Sequence, residues 1–302
     1  MRPARVWLGP DAHPLLAEAI QRAGGSLVEA GDANVIAWHG WPPGRIHEVL
    51  HSGIEWVQLD LTGVERWLEE GLVDGERTWT IVRDAYAPDV ADHVLAFVLA
   101  AARRLPEAAR RTSWAPLEGE RLEGRTVGFV GGGAIARESI PRLWPLGVRI
   151  VALTRSGQTV AGAERTYGPS GLPALLAESD YVVLAAPLTA ETRGLIGAAE
   201  LELIGPGGWL VNVARGALVR TDELVEALEA GRLGGACLDV TDPEPLPDGH
   251  PLWRLGNVLI TPHSANPPGT VEEPLARLLE DNLRRFREGR ELLGVLDPAR
   301  GY

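Results

Sequence analysis

Residues 126–155 read TVGFVGGGAIARESIPRLWPLGVRIVALTR, and their pattern decides the fold. The apolar run 127–130 predicts a buried strand. It enters Gly131, Gly132 and Gly133 directly, and a helix from Ala134 to about Leu146 follows. A second apolar run, 148–153, predicts the next strand. Strand, glycine turn, helix and strand within about 30 residues form the βαβ unit that binds dinucleotides. Gly131 permits the tight turn, Gly133 lets the backbone approach a pyrophosphate, and Ala136 keeps the third position small enough for helix and strand to pack. The amides that open the helix, at Ala134 and Ile135, offer donors and a partial positive charge to the phosphates.

The acidic residue that usually accepts from the ribose hydroxyls is absent. The second strand ends in Thr154, Arg155 and Ser156. A carboxylate there would repel a 2′-phosphate, whereas an arginine between two hydroxyls would hold one. NADP(H) is therefore expected in preference to NAD(H).

The chain has 302 residues, enough for two domains, with 45% hydrophobic and 23% charged residues. Its net charge of −12 argues against a nucleic-acid or anionic-membrane surface. No apolar run approaches the length of a transmembrane helix, and the opening MRPARVWLGPDAHP lacks the apolar core of a secretory leader. One cysteine, Cys237, rules out an internal disulfide framework and suits a reducing cytoplasm. The chain contains no lysine, which removes P-loop and Schiff-base chemistry, and no metal-ligand spacing is present.

The runs 4–8, 35–38 and 56–59 predict strands before the glycine fingerprint, with a helix over 12–24, so a small parallel α/β domain precedes it. The apolar helix 89–105 should stop near Pro106 and cross from one domain to the next. After the fingerprint, runs at 181–185, 209–213, 236–240 and 258–260 continue the strands. A short helix is expected over 172–177, a second over 221–231 with Thr221 as its N-cap, and a long amphipathic one over 272–287.

Ligands of an open parallel sheet bind beyond the carboxyl ends of its strands. Three such ends carry reactive groups: Arg215 after WLVNV, Glu244 in DVTDPEPLP, and His263 in NVLITPHSAN. Taken singly they read as a surface ion pair, a loop carboxylate and a satisfied histidine. Together, at successive strand ends, they fit hydride transfer to a 2-oxo acid. Arg215 can fork onto the substrate carboxylate and carbonyl and polarise the latter. His263 can give the proton to oxygen or take it back, and Glu244 beside it would favour the imidazolium.

On the stretches VGFVGGGAIA, AAPLTAETRGLI, LVNVARGALV, GACLDVTDPEPLP and NVLITPHSA, the chain resembles the D-isomer-specific 2-hydroxyacid dehydrogenase family over nearly its whole length. That resemblance implies an α/β fold of two Rossmann-like domains, with a dinucleotide-binding domain (89–267) inserted into a discontinuous flavodoxin-like substrate domain (1–88 and 268–302). It places the catalytic Arg, Glu and His on Arg215, Glu244 and His263. It implies that Asp239 and the Val213 backbone hold the nicotinamide carboxamide, with Pro187 under the cofactor. Backbone amides at Thr62, Gly63 and Val64 would bind the substrate carboxylate. A hinge closure that excludes water and a homodimer through the nucleotide domain are implied too. Ala136, Asp84, Asp92 and Glu65 depart from the family's usual residues.

Glyoxylate or hydroxypyruvate is the expected substrate, and a bulkier 2-oxo acid is the runner-up. A non-catalytic dinucleotide sensor, binding partner proteins, is the alternative from another class. Phosphoglycerate is disfavoured for want of extra basic contacts, and formate because it needs no proton transfer.

Overall fold

Parallel strands separated by helices form two sheets. The computed structural model describes residues 1–40, 43–267 and 269–298. The chain divides into one unit of residues 1–86 and 267–302 and a second of residues 87–266. Residue 268, where the sequence suggested a boundary, lies outside the described residues, as do 299–302.

The first unit holds β1 (Arg5–Pro10), α1 (Pro14–Arg22), β2 (Ser26–Leu27), β3 (Val35–His39), β4 (Trp56–Leu59), α2 (Glu65–Glu69) and β5 (Thr78–Thr80). The strands run parallel in the order β2-β1-β3-β4-β5, the flavodoxin-like arrangement. Side chains alternate between its faces, as the pleat requires. Val35 and Ala37 join a core with Leu16, Ile20 and Val6, whereas Ile36 and Trp38 join Val57, Trp67 and Trp79 on the other face. Strands β2 and β5 are two and three residues long, too short to show a period, and the sequence did not reveal them.

The second unit begins with α3 (Ala87–Ala102). The helix starts two residues earlier than its apolar pattern suggested, because Pro88 suits a first turn whose amides lack partners anyway. Pro106 does not stop it: Arg104 breaks the helix in the left-handed region, and Pro106 opens the short α4 (Leu105–Ala109). Then come β6 (Thr126–Val130), α5 (Ala134–Leu143), β7 (Arg149–Leu153), β8 (Arg165–Tyr167), α6 (Leu172–Glu178), β9 (Tyr181–Leu184) and α7 (Ala198–Ile204). The unit closes with β10 (Trp209–Asn212), α8 (Thr221–Glu229), β11 (Gly235–Leu238) and β12 (Val258–Ile260). The sheet order β12-β11-β10-β9-β6-β7-β8 is the doubly wound dinucleotide pattern with one strand added. One face packs α3 and α5 through Val94, Phe97, Ile140 and Leu143; the other packs α6, α7 and α8 through Leu176, Leu201 and Leu224.

The chain then returns to the first unit with α9 (Glu272–Glu288). Its Leu275, Leu279, Leu283 and Phe286 enter the core beside α1. Past it, Val295 pairs antiparallel with Thr80, and Leu296 N donates to Trp79 O at 2.9 Å, so the exposed edge of β5 is covered. Asn282, fully buried, donates to Gln58 Oε1 on β4 at 3.0 Å and accepts from Leu293 N at 2.7 Å.

Candidate active site

The order of the second sheet reverses at β6 and β9, and the loops leaving these two strands lie side by side. Gly131 has φ 114°, and a Cβ on it would stand 2.5 Å from the Ala185 carbonyl oxygen, so only glycine fits. Gly133 is the N-cap of α5, with no side chain capping the helix, and a Cβ there would meet nothing within 4 Å. The backbone at Gly133 thus opens onto unfilled space, with the amides of Ala134 and Ile135 at the helix start. Ala136 is fully buried in the cluster that holds Val127 and Phe129. This loop fits a pyrophosphate. Pro187 is exposed beyond β9, and its carbonyl accepts from Thr192 Oγ1 at 2.7 Å. Val213 follows β10 and is buried.

Thr154, Arg155 and Ser156 form the turn after β7, with Arg155 and Ser156 exposed. Thr154 directs its hydroxyl proton to Gln158 O at 3.3 Å. Ser156 Oγ accepts from Gln158 N at 3.3 Å, which leaves its own O–H to donate outward. Of the two hydroxyls proposed for a 2′-phosphate, the serine is therefore the better placed.

Arg215, Glu244 and His263 come together on the rim beyond β10, β11 and β12. His263 Nδ1 lies 2.7 Å from Glu244 Oε1, and both side chains are about half exposed. The Glu244 hydrogen bond raises the His263 pKa above the ordinary 6.5, outweighing burial and the Arg215 charge. Burial pushes the Glu244 carboxyl up, but the His263 hydrogen bond and charge, the Thr241 amide and Arg215 together hold it below the usual carboxylate range. His263 sits at φ 49°, in the left-handed region, which costs a non-glycine residue about 1–3 kcal/mol. The surrounding loop enforces it: His263 N donates to Asp239 O at 2.8 Å.

Some residues that build this rim carry no sequence signal of their own. Asn212, buried at the end of β10, accepts from Ala214 N at 3.1 Å and donates to Arg215 O at 2.9 Å, fixing the turn that presents Arg215. Gly216 lies against the Thr241 and Asp242 backbone, where any Cβ would overlap the Thr241 carbonyl. The Arg215 loop and the Glu244 loop touch only because that residue has no side chain. Thr221 does not cap α8 as expected. Arg220 is the N-cap, and the Thr221 hydroxyl donates to Asp242 O at 2.6 Å, tying helix to loop instead.

Asp239 is buried at the end of β11. Its carboxylate accepts from Ser264 N at 2.8 Å, Ala265 N at 3.0 Å and the Thr261 hydroxyl at 2.5 Å. Holding the loop that carries His263 is thus one of its functions.

In the first unit, Thr62, Gly63 and Val64 form the turn from β4 into α2. The Thr62 hydroxyl donates to Val82 O at 2.6 Å, and the Val64 side chain is fully buried, so only backbone at Val64 could meet a ligand. At the root of this turn Asp60 binds His39 Nδ1 at 3.0 Å and the Gly40 amide at 3.0 Å, and the Tyr86 hydroxyl donates to the Asp60 carbonyl. Tyr86 therefore supports the turn from behind. Among the described residues no group of three or more His, Cys, Asp or Glu could hold a metal, and no helix is long and apolar enough to cross a membrane.

A glycine loop at the reversal of a doubly wound sheet, beside an arginine and a carboxylate–imidazole pair, defines a dinucleotide-dependent oxidoreductase. Residues 95–265 match the model of the D-isomer specific 2-hydroxyacid dehydrogenase NAD binding domain. The chain belongs to that family and is an NAD(P)-dependent 2-hydroxyacid dehydrogenase. It is 32% identical over 281 residues to the glyoxylate reductase/hydroxypyruvate reductase of Mus musculus, covering 90% of this chain and 80% of the mouse protein. A D-isomer specific 2-hydroxyacid dehydrogenase from Xanthobacter autotrophicus, solved with NADPH and MES, superposes over 100% of both chains with a TM-score of 0.87 at 29% identity. An NADPH-dependent glyoxylate/hydroxypyruvate reductase from Sinorhizobium meliloti, solved with NADP and sulfate, does so over 100% of both chains with a TM-score of 0.83 at 26% identity.

Proposed function

We propose that this enzyme reduces a small 2-oxo acid, glyoxylate or hydroxypyruvate, with NADPH as preferred coenzyme. The observation that carries the chemistry is the 2.7 Å contact between His263 Nδ1 and Glu244, with Arg215 alongside. Glu244 occupies one ring nitrogen and stabilises the imidazolium, so Nε2–H is the proton that goes to the substrate oxygen. Arg215 meets the negative charge that develops on that oxygen, an interaction stronger in the transition state than before it. A nicotinamide coenzyme would supply the hydride at this site. The amides of Thr62, Gly63 and Val64 would take the substrate carboxylate, and Asp239, the Val213 backbone and Pro187 would hold the nicotinamide end of the coenzyme. The second unit is assigned to the dinucleotide, and the first, completed by the C-terminal segment, to the substrate.

The choice of NADPH rests on Arg155 and the Ser156 hydroxyl in place of an acidic residue, and similar structures were solved with NADPH or NADP. The choice of substrate rests on the names of similar proteins. A homodimer in the cytoplasm completes the proposal. A panel of 2-oxo acids assayed with NADPH and NADH tests it. Highest kcat/KM for glyoxylate or hydroxypyruvate with NADPH is expected, and Arg155→Asp should move preference toward NADH. Faster turnover of bulkier acids would overturn the substrate assignment. Coenzyme binding without turnover of any 2-oxo acid would leave a sensor.

A further inference from the structure

His93, on α3, has no part in the chemistry above, yet it touches the site. Its Nε2 lies 3.0 Å from Thr261 Oγ1, and that hydroxyl lies 2.5 Å from Asp239 Oδ1. A threonine has one proton to give, and an ionised carboxylate can only accept. The hydroxyl must therefore donate to Asp239, and the contact with His93 must be made by a ring N–H on Nε2. That fixes the tautomer. Burial lowers the His93 pKa, so the ring is neutral near pH 7 with its one proton on Nε2. The ring is held edge-on against Phe97, with centroids 4.3 Å apart.

The consequence falls on Asp239. A carboxylate offers about four acceptor positions. Oδ1 accepts from Thr261 and Ser264 N, and Oδ2 from Ala265 N, so one position on Oδ2 remains. The hydroxyl and both amides come from residues 261–265 and engage both carboxylate oxygens, while His93 Nε2, hydrogen-bonded to the same hydroxyl, stands 3.6 Å from Oδ1. A carboxylate held at both oxygens presents its remaining lone pair in a fixed direction.

We propose that His93, acting through the Thr261 hydroxyl, is a positioning residue that aims Asp239 at the carboxamide of the nicotinamide ring. This rests on the assignment of Asp239 to the carboxamide made above. His93 itself touches neither coenzyme nor substrate. Its effect is confined to ligands that carry the nicotinamide.

Fluorescence titration of the full-length protein tests this, with NADPH and, as a matched ligand lacking the ring, 2′-phospho-ADP-ribose; NADH and ADP-ribose serve as a second pair. His93→Phe and Thr261→Val should each weaken NADPH roughly three- to tenfold, the worth of one hydrogen bond. Both should leave 2′-phospho-ADP-ribose unchanged. Because the two residues act in series, the double variant should be no weaker than either single one, and Thr261→Ser should bind like the parent. Equal loss for both ligands, additive losses in the double variant, or no loss at all would overturn the relay. Asp239→Asn separates the two levels. If it weakens NADPH but the His93 and Thr261 variants do not, the relay alone fails. If it leaves NADPH binding unchanged, the carboxamide assignment fails and the relay with it.

Discussion

At the scale of single residues the site is a charge arrangement that sets one pKa. The Glu244 hydrogen bond raises His263, so the acid form that the proposed reduction calls for persists above the pH at which a free histidine loses its proton. kcat/KM for reduction should fall as pH rises through that raised value, and the oxidative direction should rise through it. In Glu244→Gln the largest raising influence is gone, and burial and Arg215 still lower the pKa against the smaller raising charge of Asp239, so the fall in the reduction profile should begin at lower pH. A profile superimposable on the parent's would remove Glu244 from its assigned role. His263→Ala should lower kcat by about 10²–10⁴, the usual worth of a positioned acid, with coenzyme affinity nearly unchanged. These three residues were legible in the sequence because each follows an apolar strand and so lands on one rim. Asn212, Thr261 and His93 were not. Their importance lies in which backbone or hydroxyl each meets, and no spacing along the chain encodes that.

At the scale of elements, loops are held by contacts a pattern of apolar residues does not report. Gly216 is the clearest case. Gly216→Ala must push apart the Arg215 and Glu244 loops, at a cost of about 1–3 kcal/mol for an overpacked site. A lowered Tm with a disproportionate loss of kcat is expected, and an active, undisturbed Gly216→Ala would show that the two loops need not touch. The His39–Asp60 pair does the corresponding task under the Thr62 turn. Its hydrogen bond raises His39 above 6.5, against burial and with help from Glu272 and Asp11. The stabilisation it gives is therefore complete below 6.5 and lost as pH rises through the raised value. In Asp60→Asn the His39 ring should titrate at lower pH, which histidine NMR resonances would report. The long strands and helices were readable from their periods. The three-residue β12 was readable too, but the equally short β2, β5 and β8 were not, because they exist only through their neighbours in the sheet.

At the scale of the whole molecule, the first unit is built from both ends of the chain. Helix α9 contributes Leu275, Leu279, Leu283 and Phe286 to its core. At about 1.5–3 kcal/mol each, these four side chains approach the entire stability of a typical domain. A chain ending at residue 266 should keep hydrogen-exchange protection in β6 to β12 and lose it in β1 to β5. Protected β1 to β5 amides in that truncated chain would contradict the account. Asn282→Ala should cost about 1–2 kcal/mol, because it removes the acceptor of the Leu293 amide and one of the two donors to Gln58 Oε1, which keeps only the Thr80 hydroxyl, and a denaturation midpoint would report it. The amphipathic pattern of α9 was visible in the sequence, but its partner was not, since the contact spans more than two hundred positions. This discontinuity also sets a timetable on the ribosome. The first 86 residues emerge and must then wait while the 180 residues of the second unit are made. At 5–20 residues per second that delay is roughly 10–40 s. Through it, nascent β1 to β5 lack the helix that completes their core, so chaperones that shield apolar segments should bind there first and leave last.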